Sequence, residues 1–156
     1  REPALEMADL RQVVTDVAEL LRGRARERSV ELEIDLDDQL PVLAIDPEGI
    51  NRALLNILSN AFDAVEQTSE HRHIKVQTSL APGGRYARLI VKDNGPGIPP
   101  DEQKRIFHVF HSTKGSKGTG LGLAVSQKII KEHGGQIKVE SKVGQGATFT
   151  IELPIR

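Results

Sequence analysis

The tightest constraint on this chain is a pair of glycine-rich stretches, Asp93-Asn94-Gly95-Pro96-Gly97-Ile98-Pro99 and Gly118-Thr119-Gly120-Leu121-Gly122-Leu123. The first follows a short strand-like run, Arg88 to Lys92, so a strand must end in a turn whose glycines tolerate close backbone approach. The second precedes a run with helical spacing that closes at Gly134-Gly135, the expected C-cap, so a loop must open a helix from about Gly120 to His133. Between them a short helix from about Pro100 leads through Phe107 and Phe110 into a polar loop, 111–117. Strand, glycine turn, short helix, loop and helix therefore follow in a set order.

The remaining elements fit around that order. Leu10, Val13, Val14, Val17, Leu20 and Leu21 recur at helical spacing after Asp9, an N-cap residue, and predict an amphipathic helix to about Arg28. Arg22, Arg24, Arg26 and Arg28 read as its solvated end, favoured by the helix dipole. Val30 to Leu36 and Val42 to Ile45 read as strands, and Asp46-Pro47 caps and opens a helix to about Gln67. Ile50, Leu54, Ile57, Leu58, Ala61 and Val65 give that helix a core stripe, while Asn56, Asn60, Asp63 and Gln67 follow at i, i+4, i+7 and i+11 on another face. Ile74 to Leu80 and Arg88 to Lys92 flank a turn at 81–84, and Gln136 to Ser141 pairs with Ala147 to Leu153 around 143–146. The pattern predicts an α+β fold, a mixed β-sheet with its helices on one face.

At 156 residues, with 38% hydrophobic and 28% charged residues, the chain is sized for one domain with a substantial core. No stretch reaches the ~18 apolar residues of a membrane span, and no signal-peptide pattern occurs, so a cytoplasmic location is expected whether the parent is soluble or membrane-anchored. The absence of cysteine excludes disulfides, thiolate zinc sites and cysteine nucleophiles. A net charge of -1 and 3% aromatics offer little to attract or stack on nucleic acid, so no nucleic-acid partner is expected.

Each motif has a bland reading beside a chemical one. Asp93 can accept a hydrogen bond from an exocyclic amine while the glycines beside it let backbone approach a flat ring, yet Asp-Asn-Gly is also a common turn. The run 118–122 is not a dinucleotide fingerprint, because Leu123 holds the third glycine position, and no Gly-Lys-Ser/Thr follows to make a Walker-type loop. It remains a helix N-terminus able to hold an anion, with Thr113, Lys114, Ser116, Lys117 and Thr119 nearby as donors, or else merely a flexible loop. The amide oxygens of Asn56 and Asn60 suit Mg²⁺, which keeps several waters and takes phosphates as further ligands, whereas a polar helix face by itself is a wet surface.

In order and spacing these motifs resemble the ATP-binding domain of bacterial sensor histidine kinases, over nearly the whole chain from about Asp9 to Pro154. Leu55-Asn56-Ile57-Leu58-Ser59-Asn60-Ala61 is similar to that family's N-box and Asp93 to Pro99 to its first glycine box. Phe107 to Phe110, Gly118 to Leu123, and Gly144-Gln145-Gly146 with Thr148 resemble the F-box and the second and last glycine boxes. The resemblance implies a two-layer α/β sandwich shared with gyrase, heat-shock chaperone and mismatch-repair ATPases. It implies that Asn60 binds Mg²⁺ directly, with Asn56 beside it, and that Asp93 accepts the adenine amino hydrogen bond while Gly97 lets the base approach. Lys114 and the backbone of Gly120, Leu121 and Gly122 would hold the phosphates. Gly95, Ile98, Phe110, Thr113, Gly118, Thr119, Leu123 and Thr148 complete the implied ATP-binding set. Asp63 departs from the basic or aromatic residue of many such kinases and gives an Asn-Ala-x-Asp-Ala pattern like the nitrogen-regulation branch, which implies a supporting role rather than a direct phosphate contact.

The related ATPases carry a glutamate where this chain has Asn56, and an amide cannot serve as a general base at pH 7. The resemblance therefore implies transfer of the γ-phosphate to a protein. None of the five histidines, His71, His73, His108, His111 and His133, has the Glu-x-x-x-Pro-like context of the family's phosphoacceptor, and all five read as structural or surface residues. The acceptor is expected on an upstream dimerisation domain, with residues 1–8 the end of a linker and 9–156 the ATP-binding domain. The full-length protein is then expected to be a homodimer that addresses a response regulator, and this piece a monomer. A serine kinase of the anti-sigma type and a nucleotide-dependent interaction module without catalysis are the alternatives.

Overall fold

The computed structural model describes residues 2–68, 70–108 and 122–156. Its elements, in chain order, are β1 (Glu6–Ala8), α1 (Leu10–Glu27), β2 (Val30–Asp35), β3 (Leu43–Ile45), α2 (Pro47–Val65), β4 (Arg72–Leu80), β5 (Tyr86–Asp93), α3 (Pro100–Gln103), α4 (Gly122–Glu132), β6 (Gln136–Ser141) and β7 (Ala147–Pro154). Five strands form a mixed sheet in the order β2-β4-β5-β7-β6. β2 and β4 are parallel because the chain between them crosses over through β3 and α2, whereas the other neighbours are antiparallel. The hairpins expected at 81–84 and 143–146 join β4 to β5 and β6 to β7.

The helices share one face of this sheet, α1 against β2, α2 against β4 and β5, and α4 against β6 and β7. Alternation along the strands sends Val30, Leu32, Ile74, Val76, Leu89, Val91, Phe149, Ile151 and Leu153 into the core beneath them. The other face carries charge. Glu152 is 6% exposed there because Arg88 Nε (3.0 Å) and Gln136 Nε2 (2.7 Å) both donate to its carboxylate. Among the described residues no helix is long and apolar enough to cross a membrane.

Several local expectations change on contact with the fold. Asp9 caps α1 as expected, its carboxylate accepting the Arg11 N–H at 2.9 Å. Leu20, included in the apolar stripe by its spacing, lies at the stripe's edge and is 67% exposed. Arg26 and Arg28 are solvated, but Arg22 donates to the Leu32 carbonyl (2.8 Å), and Arg24 pairs with Asp63 (3.0 Å) and Glu66 (3.1 Å) while lying over the Phe62 ring. Asp46 sits at the N-cap position of α2 without capping it, and its Oδ2 accepts the backbone N–H of Ala4 (3.3 Å) instead. Residues 6–8, within the expected linker, pair antiparallel with β3 as a two-stranded ribbon.

Candidate functional site

Two antiparallel helices carry the distant motifs to one place. His133 Nε2 accepts the Asp46 backbone N–H (3.0 Å), Ser126 Oγ donates to the Ala53 carbonyl (3.0 Å), and Asn56 Nδ2 donates to the Gly122 carbonyl (3.2 Å). Residue numbers rise along α2 as they fall along α4, so the N-terminus of α4 arrives beside Asn56. His133 is buried, its Nε2 accepting the Asp46 N–H while its Nδ1–H donates to the Ile129 carbonyl at 2.8 Å. That role is structural, as its sequence context indicated.

A helix N-terminus presents unpaired N–H groups and the positive end of the helix dipole, which suits an anion. Beside it, the Nδ2 of Asn56 is committed to Gly122, which leaves its Oδ1 as the acceptor of that amide. One turn further on, Asn60 is half-buried and its side chain makes no hydrogen bond to any described residue. Two amide oxygens next to an anion-binding helix end form a donor set that a hard cation carrying phosphates can use.

The first glycine stretch lies at the C-terminal end of the same α2. Asp93 closes β5 with 3% exposure, and its Oδ1 accepts the Gly95 N–H at 2.9 Å. Gly95 packs so closely on Ala64 of α2 that an added Cβ would lie 2.9 Å from the Ala64 Cβ. Gly97, at φ +81°, lies where a Cβ would fall onto the Lys142 carbonyl, and Gly146, at φ +75°, where one would fall onto the Asp93 carbonyl. Gly144 N–H donates to Pro96 O (2.7 Å), so loops 94–99 and 141–146 interlock. Asp93, Gly95, Gly97 and Ile98 therefore share one locality, with Asn56 and Asn60 further back along the helix. Leu123 packs partly buried against the core just after Gly122, the first residue of α4.

Two expected members are placed elsewhere. Thr148 faces the opposite side of the sheet, because its neighbours Ala147 and Phe149 point inward and Ala147, not Thr148, stands across from Asp93. Asp63 turns toward α1 and its carboxylate pairs with Arg24, so the polar face of α2 divides between α4 at Asn56 and α1 at Asp63. Phe110, Thr113, Lys114, Gly118, Thr119, Gly120 and Leu121 lie outside the described residues. Phe107 packs against the core, edge-on to Phe149 with ring centroids 6.3 Å apart.

Sequence reasoning passed over Ser126, Ala147, Ser141 and Gln103. Ser126 is 0% exposed, on the same helix face as Leu123 and Ile130, and a lone serine there is the signal of a helix–helix hydrogen bond. Among the described residues, Glu31, Glu33 and His73 are the His/carboxylate group close enough to share an ion. They stand on the opposite face of the sheet, where Lys75 already pairs with Glu33 at 3.8 Å, and take no part in this site.

Comparison with known proteins agrees with this geometry. Residues 45–156 match the family described as histidine kinase-, DNA gyrase B-, and HSP90-like ATPase, and the chain belongs to it. It is 36% identical over 152 residues to the sensor histidine kinase ZraS of Escherichia coli (strain K12), covering 97% of this chain and 31% of that protein. The chain thus spans about a third of the length of such curated relatives. Full-length ShkA in complex with AMPPNP superimposes with a TM-score of 0.87 at 34% identity, covering 99% of this chain and 32% of that one. The histidine kinase ThkA in complex with the response regulator protein TrrA gives 0.79 at 27% identity, over 97% and 42% of the two chains.

Proposed function

We propose that this chain is the Mg·ATP-binding catalytic domain of a sensor histidine kinase, passing the γ-phosphate of ATP to a histidine on a dimerisation domain outside this sequence. The observation that carries the reading is Asn56. It occupies the N-box position where related hydrolases hold a glutamate, and its amide is hydrogen-bonded to the first residue of α4 rather than poised as a base. An amide takes no proton from water at pH 7, so the domain orients ATP without activating water for attack. Phosphoryl transfer needs mainly positioning and charge neutralisation, which leaves the nucleophile to be delivered by another domain.

Mg²⁺ fits the residues present, since Asn60 offers an amide oxygen with no other described partner and Asn56 a second one beside it. Bound there, it would supply positive charge that neutralises the phosphates. Asp93 takes the adenine amino group, Gly95, Gly97 and Ile98 admit the ring, and Lys114 with the backbone of 120–122 completes the phosphate side. The full-length kinase is read as a homodimer that phosphorylates a response regulator, in keeping with the complex formed by ThkA. The test uses γ-phosphate-labelled ATP with Mg²⁺. The chain alone should bind nucleotide, hydrolyse it negligibly and take up no stable label, and adding the parent's dimerisation domain should put label on a histidine of that domain. Stable label on this chain alone, or rapid hydrolysis by it, would overturn the assignment.

A further inference from the structure

Two side chains outside every motif close the base-binding end of the site. Ser141, the last residue of β6, accepts the Ile98 N–H on its Oγ at 2.8 Å and donates its hydroxyl to the Gly146 carbonyl at 2.6 Å. Gln103, the last residue of α3, donates both hydrogens of its Nε2, one to the Ile98 carbonyl (2.7 Å) and one to the Ser141 carbonyl (2.9 Å). Both acceptors are carbonyls, which fixes the orientation of the amide. One hydroxyl and one amide thus tie together Ile98 of the first glycine loop, Ser141 and Gly146 around the last one, and the end of α3.

What this tie controls is the spacing of the two loops that frame Asp93. Gly146 lies against the Asp93 carbonyl and Gly97 against the Lys142 carbonyl, so at both glycines the loops meet backbone to backbone and no glycine side chain sets the gap. The Gly144–Pro96 hydrogen bond is the remaining backbone link between them. Ser141 and Gln103 are half-buried, and both spend all their donor hydrogens on this junction. We infer that Ser141 and Gln103 are positioning residues for adenine recognition: they set the distance between loops 94–99 and 141–146, and so the place at which a purine meets Asp93. Gln103 also ties the start of the segment leading toward residues 109–121 to that same junction. The inference rests on the ATP-binding reading and adds to it residues that touch no nucleotide.

A positioning role predicts a loss confined to the base. Calorimetry of the 156-residue chain with Mg²⁺ should show Ser141→Ala weakening ADP and the non-hydrolysable ATP analogue AMPPNP by the same factor, about tenfold, as loss of one to two net hydrogen bonds at the junction allows. The ratio of the two affinities, which reports the γ-phosphate end, should not move. In an Asp93→Asn background the same serine substitution should cost less than about twofold, because its effect passes through that carboxylate. Amide exchange supplies a readout independent of nucleotide, with the N–H of Ile98 and Gly144 exchanging faster in Ser141→Ala and Gln103→Ala while those of β2 and β4 keep their rates. An unchanged ADP affinity in folded Ser141→Ala, an equal loss in the Asp93→Asn background, or unaltered exchange at Ile98 would overturn the inference. Wild-type chain that bound neither nucleotide would instead remove the ATP-binding reading beneath it.

Discussion

Asp93→Asn isolates base reading from everything else the first glycine loop does. The carboxylate is 3% exposed, and its Oδ1 holds the Gly95 N–H at 2.9 Å, a bond that the asparagine carbonyl can keep. What changes is the second oxygen, which becomes an NH₂ donor where adenine also presents an amine. The loss is a charged hydrogen-bond acceptor, about 1.5–3 kcal/mol, so ATP affinity should fall about 10- to 150-fold. The turn should hold, because the Gly95 N–H keeps its acceptor. The variant's melting temperature should stay within about 2–4 °C of wild type, the shift that 1 kcal/mol produces in a domain of this size. The assay is calorimetry with Mg²⁺ and an ATP analogue, set against GTP, whose ring carries a carbonyl in place of the amine. GTP binding, weak at the start, should change by less than about twofold. Equal losses for both nucleotides would show that Asp93 does not read the base and that its importance lies in the turn.

Three further outcomes follow, two from the geometry and one from the sequence of the second glycine stretch and the loop before it. Gly144→Ala, at φ +85° in open space, should cost only the left-handed backbone term of about 1–2 kcal/mol, while Gly146→Ala and Gly97→Ala, which also drive a Cβ into a backbone carbonyl, should cost about 2–5 kcal/mol in urea unfolding; equal costs would show that the loops are not interlocked. The Arg88 guanidinium holds the Glu152 carboxyl below its ordinary value of 4.5, so its contribution is fully present above that pH and is lost as pH falls through the lower folded value; Glu152→Gln should therefore flatten the acid limb of the stability curve, and an unchanged limb would discount the pair. Lys114→Ala should weaken a triphosphate more than a diphosphate, and a Mg·ATP analogue should slow hydrogen exchange in 111–119; equal weakening together with exchange already slow without nucleotide would withdraw the phosphate assignment.

The fold was legible where periodicity and punctuation agreed. Pro47 opened α2, Gly134 and Gly135 follow the end of α4, and both antiparallel hairpins had turn residues at the right intervals. The parallel pairing of β2 with β4, and the place of β7 between β5 and β6, are long-range choices that no local signal encodes. Asp93, Asn56 and Asn60, singled out in the sequence by residue type, are brought together along α2 and the loop docked on it. The site was illegible where an ordinary side chain acts through geometry alone. Nothing in the neighbourhood of Ser141 or Gln103 distinguishes them from surface residues until the two glycine loops are brought together. Thr148 shows the opposite error, a motif residue carried over one place out of register in a strand, where a one-residue step reverses the face.

The arrangement also explains why the motifs are so far apart in sequence yet keep their order. Among the described residues, α2 is touched by both ends of the site, by Gly95 at Ala64 and by Gly122 at Asn56. Eight residues of helix separate those two contacts, about 12 Å at 1.5 Å per residue. A helix is stiff along its axis, so this interval fixes the distance from the loop that carries Asp93 to the start of α4, the two ends of the proposed nucleotide site. Gly95 and Gly122 are each docked against that ruler by close contact, Gly95 through the absence of a side chain and Gly122 through the Asn56 amide. An insertion in α2 between 56 and 64 should therefore disturb nucleotide binding far more than one in the exposed turn at 82–84, although both lie outside the glycine boxes.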